Sequence, residues 1–325
     1  NRLLLVVHHL IIDVVSWRIL MDDIDIALDQ LSSGHEIDLG SKTTSIQQWA
    51  EALTHYTNTE VIRDKVKHWS TLGSAELPQL PLDNQDQRNT YGQAKECVAT
   101  LDQKTTKQLL SLANIAYRTD IEDLLLSALA KTISEWSQRE SKGEHQGNTN
   151  EDHTNGSKIY LQLESHGREN IASTVDVTNT LGWFTSAYPI LLDFDEIAVS
   201  ESNSAGKLIQ SIKEQLRGVD GAGSRSGSTG EAGSKGYSSN GYSFGLLRYL
   251  SDDKKIRQLL AEIPKPEIVF NYLGQLDNIS NQDRNIHPAS ESVGDMCGPD
   301  LVRQHLVDIN CRIQDGQFQA YWTYN

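Results

Sequence analysis

The chain has 325 residues, is 38% hydrophobic, and carries 29 Lys and Arg against 44 Asp and Glu, a net charge of −15. That length can bury a large core and accommodate two subdomains. The acidity argues against a nucleic-acid groove or an anionic membrane surface as partner, since both need concentrated Lys and Arg, and no apolar run of about 18 residues is present to span a bilayer.

Arg2–Val7 is an apolar, β-rich run, the pattern of a fully buried strand. Leu3–Ile12 is too short and too interrupted by histidines for a membrane span and lacks the small-residue cleavage site of a signal peptide, and the chain begins already inside the strand, which points to a fragment. The surrounding stretch, LLLVVHHLIIDVVSWRIL, holds His8, His9 and Asp13. Burying such groups is costly unless they are paired or used. Adjacent residues of a strand point to opposite faces, so one histidine can face a cavity while the other packs in the body. Asp13 lies where strand should turn into helix, as a cap or as a buried ion-pair partner. From Ser16, apolar residues Ile19, Leu20, Ile24, Ile26, Ala27 and Leu31 recur at near-helical spacing, ended by Ser33-Gly34. Ser45–Leu72 reads as helices broken near Thr57–Thr59.

LPQLPLDNQDQRNTYG is a connector, with two prolines and many turn residues. Glu96–Leu101 reads as a strand, Lys104–Ala116 and Ile121–Trp136 as helices. Residues 137–157 contain almost nothing to bury and read as a solvated loop. Ile159–Leu163 is a strand running into Glu164, His166, Arg168 and Glu169, with Gly167 permitting a tight turn. Lys207–Arg217 is helical. Residues 218–241 are Gly/Ser-rich, a flexible linker; no strand leads in and no Lys-Ser/Thr pair follows, so a phosphate-cradling loop is not favoured. Phe244–Leu250 resumes order. Ile268–Tyr272 is a strand interrupted by Asn271, and Leu306–Ile313 with Gln317–Thr323 forms a hairpin over Asp315-Gly316. Strands alternate with helices, so the class is α/β.

Cys97, Cys297 and Cys311 are odd in number, scattered and without C-x-x-C spacing, which suits reduced thiols in a cytoplasmic protein. Metal binding would need three or four convergent ligands. His9 and Asp13 offer two, and neither H-E-x-x-H nor a Cys/His cluster accompanies them.

Four motifs in order, HHLIIDVVSW, ESHGRE, LGWFTSAYP and FNYLGQ, resemble the successive signatures of the epimerization domains of nonribosomal peptide synthetases. SIQQWAEAL, DLLLSALAKTI and the closing HLVDINCRIQDGQFQAYWTYN also fit this pattern, so the resemblance spans the chain. These domains belong to the condensation-domain superfamily, with a chloramphenicol-acetyltransferase-like α/β fold. Ser165 stands where the family usually has Gly. Val14 stands where a condensation domain carries Gly, and the Val15-Ser16-Trp17 continuation favours epimerization. The family also has an N-terminal lobe, most of which is absent here. The resemblance therefore implies a remnant of that lobe over about 1–45 and a C-terminal lobe over about 46–325, with flexible inserts at 137–157 and 218–241.

The activity implied is L-to-D inversion at Cα of an aminoacyl or peptidyl thioester. The substrate is carried on the phosphopantetheine of a peptidyl carrier protein, beside adenylation and condensation domains. The thioester itself acidifies the α-proton, so no intrinsic cofactor is implied. Such a reaction needs a base, an acid on the other face and donors for the enolate oxygen. The resemblance assigns catalysis to His9 and Glu164; an imidazole exchanges protons near neutrality, and a glutamate reaches that range through partial burial. Asn271 is the candidate for polarising the thioester carbonyl, with Tyr272 second because it alternates to the other strand face. Asp13 and Arg168 form a supporting ion pair, with His8 turned into the body. The competing readings are a condensation domain joining two carrier-bound substrates, a non-catalytic carrier-docking fragment and, more distantly, a metal hydrolase.

Overall fold

The structure, a computed structural model, describes residues 2–82, 88–142, 157–169, 171–195, 197, 204–219, 241–276, 285–287 and 289–325. Most of the two expected flexible inserts, at 143–156 and 220–240, lies outside the described residues, as do Asn170 and Asp277.

The expected α/β class is present as one mixed sheet of six strands: β1 (Lys95–Thr100), β2 (Lys158–Ser165), β3 (Ser186–Asp193), β4 (Ile268–Gln275), β5 (Val307–Gln314) and β6 (Gln317–Tyr324). Their order across the sheet is β1-β6-β5-β4-β2-β3. β4 runs parallel to both β2 and β5, and the remaining pairs are antiparallel. The strands alternate as a sheet with one packed face must. Ile309, Cys311 and Ile313 of β5 are buried, and Asp308, Asn310 and Arg312 between them are half-buried. Asp315-Gly316 closes the β5–β6 hairpin with positive φ at both residues, the geometry that tight hairpin turns require.

The helices are α1 (Val14–Ser32), α2 (Ile46–Thr57), α3 (Glu60–Arg63), α4 (Val66–Gly73), α5 (Gln103–Gln108), α6 (Asn114–Tyr117), α7 (Ile121–Lys142), α8 (Ser204–Gly218), α9 (Tyr242–Leu250) and α10 (Lys254–Ala261). α2 starts with a capping box, Ser45 and Gln48 each receiving the other's backbone N–H. A fully buried Trp69 joins α4, α9 and β3: its Nε1 donates to Ser243 Oγ at 2.7 Å, and the rings of Tyr188 and Phe244 meet it edge-on. Among the described residues no helix is long and apolar enough to cross a membrane.

The fold corrects four expectations. Residues 2–8 are not a strand, and Leu3, Leu4 and Val6 are exposed. An apolar run supplies side chains for a strand, but backbone partners must come from elsewhere, and none of the six strands pairs with it. The helix read as Lys104–Ala116 divides into α5, a π turn at Leu109–Ala113 and α6. α7 runs on through Ser137 to Lys142, because Gln138, Arg139 and Glu140 belong to the residue types with good helix propensity. Finally, α10 was not expected; Asp253 caps it by accepting from Lys255 N at 2.8 Å.

Candidate active site

Two turns are tied together beside the sheet. Asp13 is the N-cap of α1, and its Oδ1 accepts from the Ser16 amide at 2.6 Å. Oδ1 also accepts from Arg168 Nη2 at 3.3 Å, and Oδ2 accepts from the Phe184 amide at 3.1 Å. Arg168 Nη2 donates further to Ser16 Oγ at 2.9 Å, and Nη1 to the carbonyls of Val177 and Thr180 at 2.5 and 2.9 Å. The guanidinium lies 4.0 Å from the centre of the Phe184 ring, a cation–π contact. Both side chains are buried, at 8% exposure for Arg168 and 2% for Asp13, so cap and ion-pair partner are one role. Burial opposes the charge on Asp13. The Ser16 amide and hydroxyl, the Phe184 amide and the Arg168 charge outweigh it and hold the carboxyl below the usual range. Gly167, at φ +63°, permits the turn; a Cβ there would sit 1.7 Å from the Phe184 carbonyl oxygen.

Glu164 lies on β2 just before that turn. β2 and β4 pair in parallel with Leu163 opposite Phe270, so one step further along both strands Glu164 meets Asn271. Asn271 Nδ2 donates to Glu164 Oε2 at 2.8 Å. Burial raises the pKa of Glu164; the charge of His9 opposes that shift and Asp308 reinforces it. Asn271, expected to polarise a substrate carbonyl, thus commits one of its two N–H groups to the carboxylate.

Glu164 and Asn271 line a cavity of about 200 Å³, together with Arg18 of α1, Glu122 of α7, His166 and Tyr272. Tyr272 was expected on the opposite surface from Asn271. Both nevertheless line the cavity, although the β4–β5 register holds through Asn271 and Tyr272 and shifts only beyond them. Burial, with Glu122 and Cys311 nearby, pushes the Tyr272 phenol up to about 12. His166, exposed at the cavity rim, accepts from the Arg168 amide through Nδ1 at 3.0 Å, and partial desolvation with the Arg168 charge lowers its pKa. Among the described residues no three His, Cys, Asp or Glu side chains group as metal ligands.

The histidines depart from the strand expectation. Residues His9–Ile11 form a 3₁₀ turn, in which neighbours are not on opposite faces. His8 is exposed rather than turned into the body, and its Nδ1 accepts from the Leu10 amide at 3.2 Å. His9 is exposed and is not among the cavity's lining residues, although its charge reaches Glu164. Its Nδ1 lies 2.8 Å from the Ile12 carbonyl oxygen. A carbonyl only accepts, so Nδ1 carries the proton and Nε2 is the nitrogen left to exchange one. Arg18, Glu122 and His166 were not singled out as site residues from sequence. His166 stands inside ESHGRE, but Arg18 and Glu122 carry no local signal, since charged residues in the first turns of helices are ordinarily solvated.

Residues 1–142 match the family model for the condensation domain, and the mixed sheet with its helices is that superfamily's architecture. The family match is thus to the first 142 residues, and the chain as a whole has the condensation-domain superfamily fold. Over its whole length it is 36% identical to one component of the linear gramicidin synthase of Brevibacillus parabrevis, of which it spans only 4%. It is similar to the crystal structure of the epimerization domain from the third module of tyrocidine synthetase B, with a TM-score of 0.78 and 29% identity, covering 98% of this chain and 62% of that one. The first condensation domain of the calcium-dependent antibiotic synthetase shares the fold at a TM-score of 0.58 and 12% identity, over 98% of this chain and 59% of that one.

Proposed function

We propose that the domain inverts Cα of an aminoacyl or peptidyl thioester held on the phosphopantetheine of a carrier protein, as part of a nonribosomal peptide synthetase. The observation that carries this reading is Glu164, a half-buried carboxyl on a cavity wall, oriented by Asn271 and with its pKa raised by its surroundings. A carboxylate so placed is a stronger base than one in water. It takes the Cα proton, and the C–H electron pair moves into a Cα–carbonyl double bond, leaving charge on the thioester oxygen. The C–S bond stays intact. His9 Nε2–H returns a proton to the other face, and the carbonyl re-forms. From the opposite enantiomer the two groups exchange roles, so the reaction is redox-neutral and runs both ways. Asp13 and Arg168 support the site by fixing the α1 turn against the β2 turn.

The partners on this reading are the loaded carrier protein and the neighbouring adenylation and condensation domains. The greater similarity to an epimerization domain than to a condensation domain supports the choice of reaction. The test is deuterium uptake at Cα of a carrier-bound aminoacyl thioester in D₂O, followed together with loss of chirality. Glu164→Gln and His9→Ala should each slow inversion by about 10²–10⁴-fold, the range of general acid–base contributions, while carrier binding persists. Peptide-bond formation between two loaded carriers, without deuterium uptake, would establish the condensation reading instead. Carrier binding with neither reaction would leave a docking module.

A further inference from the structure

Two arginines stand at the two ends of the α1 start, and they are used differently. Arg168 spends both terminal nitrogens on Asp13, Ser16 and two carbonyls. Arg18 lines the cavity with Glu164 and Asn271. Among the described residues nothing hydrogen-bonds or ion-pairs with Arg18, and its Nε is buried. A guanidinium is always charged and carries five donors. Holding one half-buried and unpartnered is costly unless something arriving in the cavity satisfies it.

We infer that Arg18 binds the thioester carbonyl oxygen of the substrate and stabilises the negative charge that forms there. The catalytic part of this inference rests on the epimerization reading; the carbonyl contact does not.

Three observations lead to the carbonyl. First, the donor the sequence pointed to, Asn271, already serves Glu164. Second, no ion pair or hydrogen bond joins Arg18 to Glu164 among the described residues, although both line the cavity, so the guanidinium is not the carboxylate's counter-ion. Third, the cavity, at about 200 Å³, is smaller than the roughly 300–1,000 Å³ of pockets that enclose whole drug-sized ligands. Groups on its different walls can therefore meet one small functional group. With Glu164 at Cα, the next acceptor along the substrate is the thioester oxygen. Removal of the Cα proton puts charge on that oxygen, and a fixed donor outside bulk water is most effective at such a point. α1 is also held rigidly one turn before Arg18 by the Asp13 cap and its Arg168 pair, so the guanidinium's helix needs no rearrangement when substrate enters.

The test compares two unreactive substrate mimics on the phosphopantetheine arm of a carrier protein: an amide, which keeps the carbonyl, and a methylene analogue, which lacks it. The full chain should bind the amide-loaded carrier at least about tenfold more tightly than the methylene-loaded one, as expected for a hydrogen bond to a charged group. Arg18→Gln should erase that preference, and Arg18→Lys should restore part of it. Where Arg18→Gln does not fold, Arg18→Met preserves the packing of the stem and serves the same comparison. With a true thioester in D₂O, Arg18→Gln should lower Cα exchange by about 10²–10³-fold, as for loss of one oxyanion donor. A parent chain that exchanges no deuterium defeats the epimerization reading, yet an Arg18-dependent carbonyl preference would still support the contact. An undiminished carbonyl preference in Arg18→Gln overturns the inference. So does a loss confined to substrates with carboxylate side chains, which would make Arg18 a side-chain reader.

Discussion

Asp13 and Glu164 are two carboxyls withdrawn from water on either side of the same pair of turns, and they sit in opposite electrostatic conditions. Asp13 is met by two backbone amides and a buried guanidinium, and its pKa falls. Glu164 is met by the neutral Asn271 amide, and its pKa rises. Burial penalises both charges; the number and charge of donors decides the sign. A carboxylate that is fully satisfied contributes stability and has little tendency to take a proton. One that is under-satisfied costs stability at neutral pH and is ready to react.

The largest effect that could break this contrast is at Asp13. Asp13→Ala should destabilise the chain by about 3–5 kcal/mol, the cost of leaving the Arg168 charge buried and unpaired, as measured by urea unfolding. Because the folded pKa of Asp13 lies below 3.8, its contribution is present above that value and is lost as pH falls through the folded pKa. The gap between parent and variant should therefore close only in strong acid. A variant as stable as the parent would mean that the knot is incidental.

Asn271→Ala probes the other side. Removing its N–H leaves Glu164 with less support for its charge, so the acid limb of the Cα-exchange profile should move to higher pH. Exchange at pH 7 should drop about tenfold, in keeping with one hydrogen bond to a charged group, and recover as pH rises. An unchanged limb with a uniformly lower rate would return Asn271 to the substrate carbonyl and weaken the case for Arg18.

A smaller effect of opposite sign belongs to Glu164→Gln. The folded pKa of Glu164 is raised above 4.5, so any benefit from the native environment is present below that value and lost as pH rises through the folded pKa. At pH 7 the variant should match or exceed the parent in melting temperature while having lost exchange. A melting temperature depressed as strongly as that of Asp13→Ala would erase the contrast. Least of all should be His8→Ala, which removes an exposed cap on one amide: about 0.5 kcal/mol or less in stability and no change in exchange.

The knot was legible through the family resemblance, which pairs the motif aspartate with the arginine after Gly167; the residues alone left Asp13 as either a cap or an ion-pair partner. The β5–β6 hairpin was equally legible, since Asp315-Gly316 marks a turn within a few residues of both strands. The Glu164–Asn271 bond was not, because it depends on the parallel register of two strands about a hundred residues apart. His8 and His9 were misread for a related reason. Strand alternation was inferred from an apolar run, whereas a strand also needs a neighbour for its backbone, and here the run leads into a 3₁₀ turn. Arg18 was hidden by its ordinariness: an arginine in an early helical turn is usually in water, and only the assembled cavity removes the water.

The place of β6 in the sheet has a consequence for synthesis. Among the described strands β1 pairs only with β6, Lys95 lying opposite Tyr324, so β1 waits for a partner more than two hundred residues further along the chain. At about 5–20 residues per second that interval is roughly ten to fifty seconds. Throughout it, β1 leaves the ribosome with both edges open, and unpaired edges recruit other chains. Shielding by a chaperone over that interval would matter most for β1, the strand whose partner lies furthest along the chain.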